Sequence, residues 1–357
     1  MADLLVYGSY GYTGRLVVEE ATGRDLDVVV AGRDRNAVEN QAIRQKCEER
    51  VFDLDEPRLL DLALEEVDAV LNCAGPFEDT AEPVVDGCLR TGTHYLDITG
   101  EIPVFERLAI RDEDAEEAGI TVLPGVGFDV VPTDCLAAHL ADRLPDAERL
   151  SLGFQASGGM SPGTARTALR GLGDGGAVRR EGRIESVPTA WRTRRIDFGD
   201  GERSAMTIPW GDVATAYHTT GIGSIEVYTA APGWAIRAAR LGRYLGPLAG
   251  SGAVRSLLES VIDSRIDGPS ERERREARNY VWGEVESEDG ERAVSRLVTP
   301  EAYRLTKLSA VEIAERVVDG DAPEGFQTPA GAFGPDLILD VEGVERSDDP
   351  IDARDAS

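Results

Sequence analysis

Lysine is almost absent from this 357-residue chain: only Lys46 and Lys307 occur, so nearly all of its positive charge is arginine. The 38 basic residues face 66 acidic ones, for a net charge of −28. That balance argues against a nucleic-acid partner, because phosphate binding needs a basic stripe. Acid excess with little lysine resembles the proteins of salt-rich cells, where concentrated ions screen self-repulsion, and a halophilic setting is expected. Cysteine and histidine are scarce. Cys47, Cys73, Cys88 and Cys135 have no metal-ligand spacing, and there are three histidines, so no metal centre is expected and reduced thiols are the simpler reading. No apolar run reaches membrane-spanning length, and no secretion signal fits before the first apolar segment. A cytoplasmic protein with room for two domains is the expectation.

What the chain does have is a glycine-rich start. Leu4–Tyr7 is a short apolar run that breaks into Gly8, Ser9, Tyr10, Gly11, Tyr12, Thr13 and Gly14, then resumes at helical spacing through Leu16, Val17 and Ala21. This is how a first strand, a phosphate-cradling turn and a helix of a dinucleotide-binding unit are written. The glycines let the backbone turn tightly and let a pyrophosphate approach the helix N-terminus. A second apolar run, Val28–Ala31, ends in Gly32-Arg33-Asp34-Arg35. An acid usually stands here to bind the ribose hydroxyls; Gly32 removes it, and Arg33 can clamp a 2′-phosphate. NADP(H) is therefore favoured over NAD(H), although Asp34, one residue late, can still serve the ribose.

Strands and helices continue to alternate. Val51-Phe52-Asp53 reads as a third strand ending in an acid, and Ala69–Cys73 as a fourth running into Ala74, Gly75, Pro76 and Phe77. Ala81–Arg90 is helical, His94–Asp97 is a short strand, and Thr121-Val122-Leu123 is a sixth. Such alternation predicts a doubly wound parallel sheet with ligands at the C-terminal ends of the strands. Cofactor contacts are accordingly expected from the glycine turn, Arg33, Asp53 and Ala74–Phe77.

Three ordered motifs add a resemblance. Asn72–Phe77 (NCAGPF), Gly92–Glu101 (GTHYLDITGE) and Gly125–Asp134 (GVGFDVVPTD) resemble the saccharopine dehydrogenase-like oxidoreductase family, and within it the branch named trans-acting enoyl reductases. Ser161–Ala165, Pro209–Asp212 and Thr328–Ala330 extend the likeness. The resemblance implies a Rossmann domain over residues 1–127 and an inserted α+β substrate domain over 128–327. Residues 328–345 would return to the first domain, and 346–357 form an acidic tail expected to be disordered. The sequence agrees in part: Arg149–Phe154, Ile225–Tyr228 and Val281–Val285 alternate as strands do, Asp200-Gly201 and Asp289-Gly290 suggest hairpins, and Glu301–Val318 has a helical period. Gly171–Gly176 reads as a loop, with a lid as its less favoured role. Trp234–Ile262 sets Arg237, Arg240, Arg243 and Arg255 among apolar residues; packed helices are the favoured reading, and contact with a lipid or acyl chain the other.

Hydride transfer needs orientation and usually a proton donor. Tyr95, Asp97 and Glu101 lie just past a strand's C-terminal end, and Asp129 and Asp134 flank the crossing into the second domain. Tyr95, Asp97 and Asp129 are the candidate catalytic residues, with capping, turn and core roles as the competing readings. His94, His139 and His218 are expected to be structural. No Ser-His-Asp set, glycosidase-type acid pair or metal cluster is apparent. The expected function is NADPH-dependent reduction of a C=C or related bond in a small or lipid-like substrate, by a protein that pairs as a homodimer. Two alternatives stay open. One is saccharopine-type C–N chemistry, for which Arg166 and Arg170 could clamp substrate carboxylates; the other is an NADP-binding sensor without turnover.

Overall fold

The computed structural model describes residues 2–157, 175–242 and 268–353. They divide into one unit made of Met1–Val131 with Tyr303–Phe333, and a second made of Pro132–Ala302 with Gly334–Ser357.

The first unit is built on β1 (Ala2–Tyr7), β2 (Val28–Gly32), β3 (Glu48–Val51), β4 (Val67–Asn72), β5 (His94–Asp97) and β6 (Thr121–Leu123). A seventh strand, Gly325–Phe326, pairs with β6, and the order from that edge is seventh, β6, β5, β4, β1, β2, β3. Every pairing in this sheet is parallel. Parallel strands need crossovers, and α1 (Tyr12–Gly23), α2 (Arg35–Gln45), α3 (Pro57–Leu64), α4 (Phe77–Thr91), α5 (Ile102–Ala109) and α6 (Asp112–Ala118) supply them. Helices on both faces explain why Leu4, Leu5 and Val6 are all buried rather than alternating. The strand order reverses between β1 and β4, where Tyr7 pairs with Asn72, and such a switch point is where open α/β sheets bind ligands.

The second unit holds a mixed sheet. Its order is Thr193–Asp197, Glu202–Thr207, Ser224–Ala230, Ala147–Gln155, Arg278–Ser287, Glu291–Pro300, Glu345–Asp348. Ser224–Ala230 runs parallel to Ala147–Gln155, and the other neighbours on this path are antiparallel. Helix α7 (Val131–Arg143) covers one face; a Cβ on Gly283 would come within 2.5 Å of Leu140 Cδ1, so only glycine lets helix and strand approach this closely. The two expected hairpins are present, with Gly201 and Gly290 at positive φ (118° and 87°) in their turns. The sequence reading missed a third hairpin, Gly176–Arg180 with Arg183–Val187, because Glu181 takes the left-handed conformation (φ 46°) usually left to asparagine or glycine.

Several expectations need correction. The third strand is Glu48–Val51; Phe52 and Asp53 follow it, and Asp53 turns the chain by accepting from the Asp55 N–H. By contacts, Tyr303–Phe333 groups with the first unit, which takes in residues 328–333 of the expected return, while 334–345 groups with the second. Helix Ala302–Val318 docks on α1 through ion pairs: Arg24 reaches Glu312 and Glu315 at 2.9 and 2.8 Å, and Lys307 reaches Glu20 at 2.7 Å. The acidic tail starts with order, because Glu345–Asp348 adds to the second sheet and Asp348 accepts from Ser295 Oγ at 2.7 Å. Ser161–Ala165, Arg166, Arg170, residues 171–174 and residues 243–262 lie outside the described residues. Within the described part of the arginine-rich stretch, Ile236 is buried while Trp234 and Leu241 are exposed, so packing accounts for only part of its apolar face.

Candidate nucleotide site and its carboxylates

The glycine turn joins β1 to α1 at the switch point. Gly8 N–H donates to Ala31 O at 2.9 Å, Gly11 N–H to Gly8 O at 3.0 Å, and Gly8 holds φ 75°. The loop is closed so tightly that a Cβ on Gly14 would fall 2.4 Å from Gly8 O, and one on Gly8 would fall 2.8 Å from Ala74 Cβ. Glycine is required here by close approach as well as by φ. Ser9 is fully buried and its Oγ has no hydrogen-bond partner among the described residues, while its carbonyl accepts from Gln41 Nε2 at 3.0 Å. Helix α1 begins at Gly11 with no side-chain cap and no acid in its first turn. A helix N-terminus without a capping side chain or an acid in its first turn suits an anion.

Helix α4 also starts at the C-terminal edge of the sheet but is closed. Glu101 reaches across from the end of β5 and accepts from the Phe77 and Glu78 N–H groups at 3.1 and 2.8 Å. Its carboxylate already occupies the site an anion would take, which assigns Glu101 a capping role.

Around the ribose position, Asp34 caps α2 by accepting from the Ala37 N–H at 3.1 Å, so its carboxylate is engaged in the fold. Arg33 is exposed, with no ion pair or hydrogen bond to a described residue. Gly32 is packed against Tyr10: a Cβ there would meet the ring at 2.5 Å. Asp53 is exposed just beyond β3. The Asn72 side chain organises the turn Cys73–Pro76: its Oδ1 accepts from the Ala74 N–H at 3.0 Å and its Nδ2 donates to Thr80 Oγ1 at 3.1 Å. Ala74 thereby lies against Gly8, and Gly75 is exposed at the sheet's edge.

The candidate catalytic residues separate into two kinds. Tyr95 and Asp97 have no exposed surface. The Tyr95 hydroxyl donates to Asp97 Oδ2, and Asp97 Oδ1 accepts from the Thr99 and Gly125 N–H groups, both at 2.9 Å. Burial pushes the Asp97 carboxyl up to about 6 against the pull of these donors, and burial raises the Tyr95 phenol well above its ordinary range. These bonds fix the loop that follows β6.

The same loop is held from its other side. The Phe128 N–H donates to Thr306 Oγ1 at 3.0 Å, and Ser309 Oγ donates to Val126 O at 2.8 Å. Out of this fixed loop projects Asp129, half-buried, with no hydrogen bond or ion pair to a described residue. It lies against Gly100, where an added Cβ would come within 3.0 Å of its Oδ2. Loss of water alone pushes its carboxyl up to about 6. Asp134 lies in the second unit, where Thr219 Oγ1 donates to it. His94 accepts from the Thr121 N–H, and burial lowers its basicity, so it serves as a neutral structural imidazole. No set of His, Cys, Asp or Glu among the described residues could hold a metal ion. No described helix is long and apolar enough to cross a membrane.

Residues 4–123 match the family model described as the saccharopine dehydrogenase NADP binding domain. The chain is 27% identical over 206 residues to a saccharopine dehydrogenase-like oxidoreductase of Rattus norvegicus, covering 50% of this chain and 48% of that protein. It is 33% identical over 154 residues to a trans-acting enoyl reductase of Mycobacterium leprae, covering 40% and 36%. The matches thus span about half the length of these curated relatives or less. The apo saccharopine dehydrogenase (L-Glu forming) of Saccharomyces cerevisiae superposes with a TM-score of 0.67 over 98% of this chain and 100% of that one. At 16% identity this likeness is one of fold.

Proposed function

Starting from a first unit that carries an NADP-binding domain of the saccharopine dehydrogenase type, we propose that the protein is an NADPH-dependent reductase of a C=C or related bond in a small or lipid-like substrate. The observation that carries the reading is the switch-point loop. An uncapped helix N-terminus, the orphaned Ser9 Oγ and a glycine-only backbone fit a pyrophosphate, while Gly32-Arg33 replaces the acid that would repel a 2′-phosphate. Bound NADPH supplies the hydride. The residues of this chain hold the nucleotide, orient the acceptor and manage the proton.

For the proton, Asp129 is the candidate that supports direct contact with substrate. A group that touches substrate cannot have all its oxygens committed to the fold, which favours Asp129 over Tyr95 and Asp97. A carboxyl raised to about 6 keeps a protonated fraction near neutral pH, as a general acid must. Tyr95 and Asp97 are then positioning residues, acting through the loop that presents Asp129. The C=C assignment rests on the likeness to the enoyl reductase relative.

Calorimetric titration with NADPH and NADH, on wild type and Arg33→Ala, tests the cofactor. Tighter NADPH binding that Arg33→Ala weakens, with NADH little changed, supports the reading; folded protein that binds neither nucleotide refutes it. Oxidation of NADPH is then followed with enoyl thioesters in one arm and with 2-oxo acid plus amine mixtures in the other. Turnover in the second arm alone would replace C=C reduction by C–N chemistry.

A further inference from the structure

A groove of about 360 Å³ opens beside the glycine turn, lined by Tyr10, Arg15, Ala37, Asn40, Ile43 and Arg44. Among the described residues no carboxylate lines it, in a chain with 66 acidic residues. Ala37, Asn40 and Arg44 recur at spacings of three and four and so share one face of α2. Glu39, the acid within α2, is turned to Arg35 at 3.3 Å and takes no part in the lining.

Arg15 and Arg44 are both exposed, and neither has a hydrogen bond or ion pair to a described residue. Several arginines of the same unit, Arg24, Arg50, Arg90 and Arg111, are by contrast captured by neighbouring acids. Arg44 lies in the last turn of its helix, where the dipole favours a cation. Arg15 gains no such benefit, since it stands near the start of α1, where a cation adds to the positive end of the dipole. Local stability does not explain its presence; an anion shared with Arg44 does.

Tyr10 links this groove to the ribose corner. Its ring lines the groove and also packs on Gly32, the residue before Arg33. We propose that the groove is the seat of a phosphomonoester dianion, the 2′-phosphate of NADP(H), with Arg15 and Arg44 as its cations and Asn40 as a neutral donor. This rests on the NADP reading above and extends it, because discrimination between NADP and NAD is assigned to a two-helix groove as well as to Arg33. Two guanidinium groups reaching one dianion from different helices would hold it against rotation, which one flexible arginine does not.

The test uses the full-length protein and four variants: Arg15→Ala, Arg44→Ala, the double alanine variant and Arg15→Lys. Both side chains are exposed, and circular dichroism verifies that each variant is folded. Titrations with NADPH, NADH, 2′-AMP, 5′-AMP and inorganic phosphate are compared. The expected result is a loss of NADPH affinity of roughly tenfold or more in the double variant, matched by 2′-AMP. NADH and 5′-AMP should stay within about twofold, and Arg15→Lys should recover part of the loss. Unchanged NADPH affinity, equal weakening of both dinucleotides, or inorganic phosphate binding that the double variant abolishes without effect on NADPH would each overturn the assignment. Wild-type protein that binds neither dinucleotide would overturn the NADP reading as a whole, which is a separate outcome from the failure of the groove.

Discussion

The Tyr95 hydroxyl and the Asp97 carboxylate meet at 2.7 Å where neither side chain reaches solvent. Tyr95→Phe removes the hydroxyl and leaves Asp97 Oδ2 buried and short of a donor. The expected cost is about 1–3 kcal/mol of stability, read as a lower urea midpoint at unchanged m-value. NADPH affinity should stay within about twofold, since the bond holds the loop after β6 rather than the glycine turn. A variant as stable as the wild type would show that the pair contributes nothing to the fold.

Asp97 and Asp129 both have carboxyls raised to about 6 from an ordinary value near 3.8. A folded-state value above the unfolded one means that each group contributes most below about pH 4, and that this contribution is lost as pH rises through 6. Glu20, Glu286 and Asp348, whose carboxyls are lowered, work in the opposite sense, so the informative quantity is a difference between proteins. Asp129→Asn should be more stable than wild type at pH 7 by about 2 kcal/mol, with the gap closing towards pH 4. Urea unfolding at intervals between pH 4 and 7.5 measures it. A gap that stays constant across that range would mean Asp129 does not titrate there.

Glu101 spans from the end of β5 to the first two N–H groups of α4. Glu101→Ala should cost about 1–2 kcal/mol by uncapping that helix, and Glu101→Gln, which keeps one acceptor, should cost less. Thermal unfolding of the three proteins reads the order. If Glu101→Ala instead leaves stability intact while abolishing turnover, the residue belongs to the reaction and not to the cap.

Gly14→Ala sets a Cβ 2.4 Å from one backbone oxygen and 2.8 Å from another. Backbone must move, at a cost of roughly 1–3 kcal/mol, and the movement displaces the N–H groups aimed at the pyrophosphate. NADPH and NADH should weaken together, by about tenfold or more, because both carry the pyrophosphate. Unchanged affinity for both dinucleotides would show that these N–H groups do not hold the pyrophosphate.

The parallel sheet was legible because its strands are buried on both faces and punctuated by glycine, as in Leu4–Gly8 and Val28–Gly32. The third strand was misplaced because its residues carry the opposite signal: Glu48 and Glu49 are exposed on an edge, while buried Phe52 already lies beyond it. The ordered C-terminus was hidden for a similar reason. Glu345–Asp348 has no apolar pattern, and its order comes from main-chain pairing, from Asp348 reaching Ser295 far away in sequence and from Arg346 pairing with Asp336. At the site, the sequence points to a loop and a group of acids without ranking them. Rank depends on whether an oxygen is already spoken for, which distinguishes Asp129 from Asp97 and Glu101 and is fixed only by the loop's path in three dimensions. Arg15 and Arg44 left no signal in sequence, being two arginines 29 residues apart that share a groove only once α1 and α2 lie side by side.

The strand Gly325–Phe326 closes the edge of a sheet whose other strands are complete by Leu123. A ribosome must therefore make some two hundred further residues, the whole of Pro132–Ala302 among them, before the exposed rim of β6 can be covered. Until then a nascent chain carries an open strand able to recruit a neighbour, and Thr121 Oγ1 lacks the Pro323 carbonyl to which it donates in the finished fold. Translation speed through the middle of the message, and any chaperone that shields that rim, thus bear directly on the yield of a domain encoded almost entirely at its start.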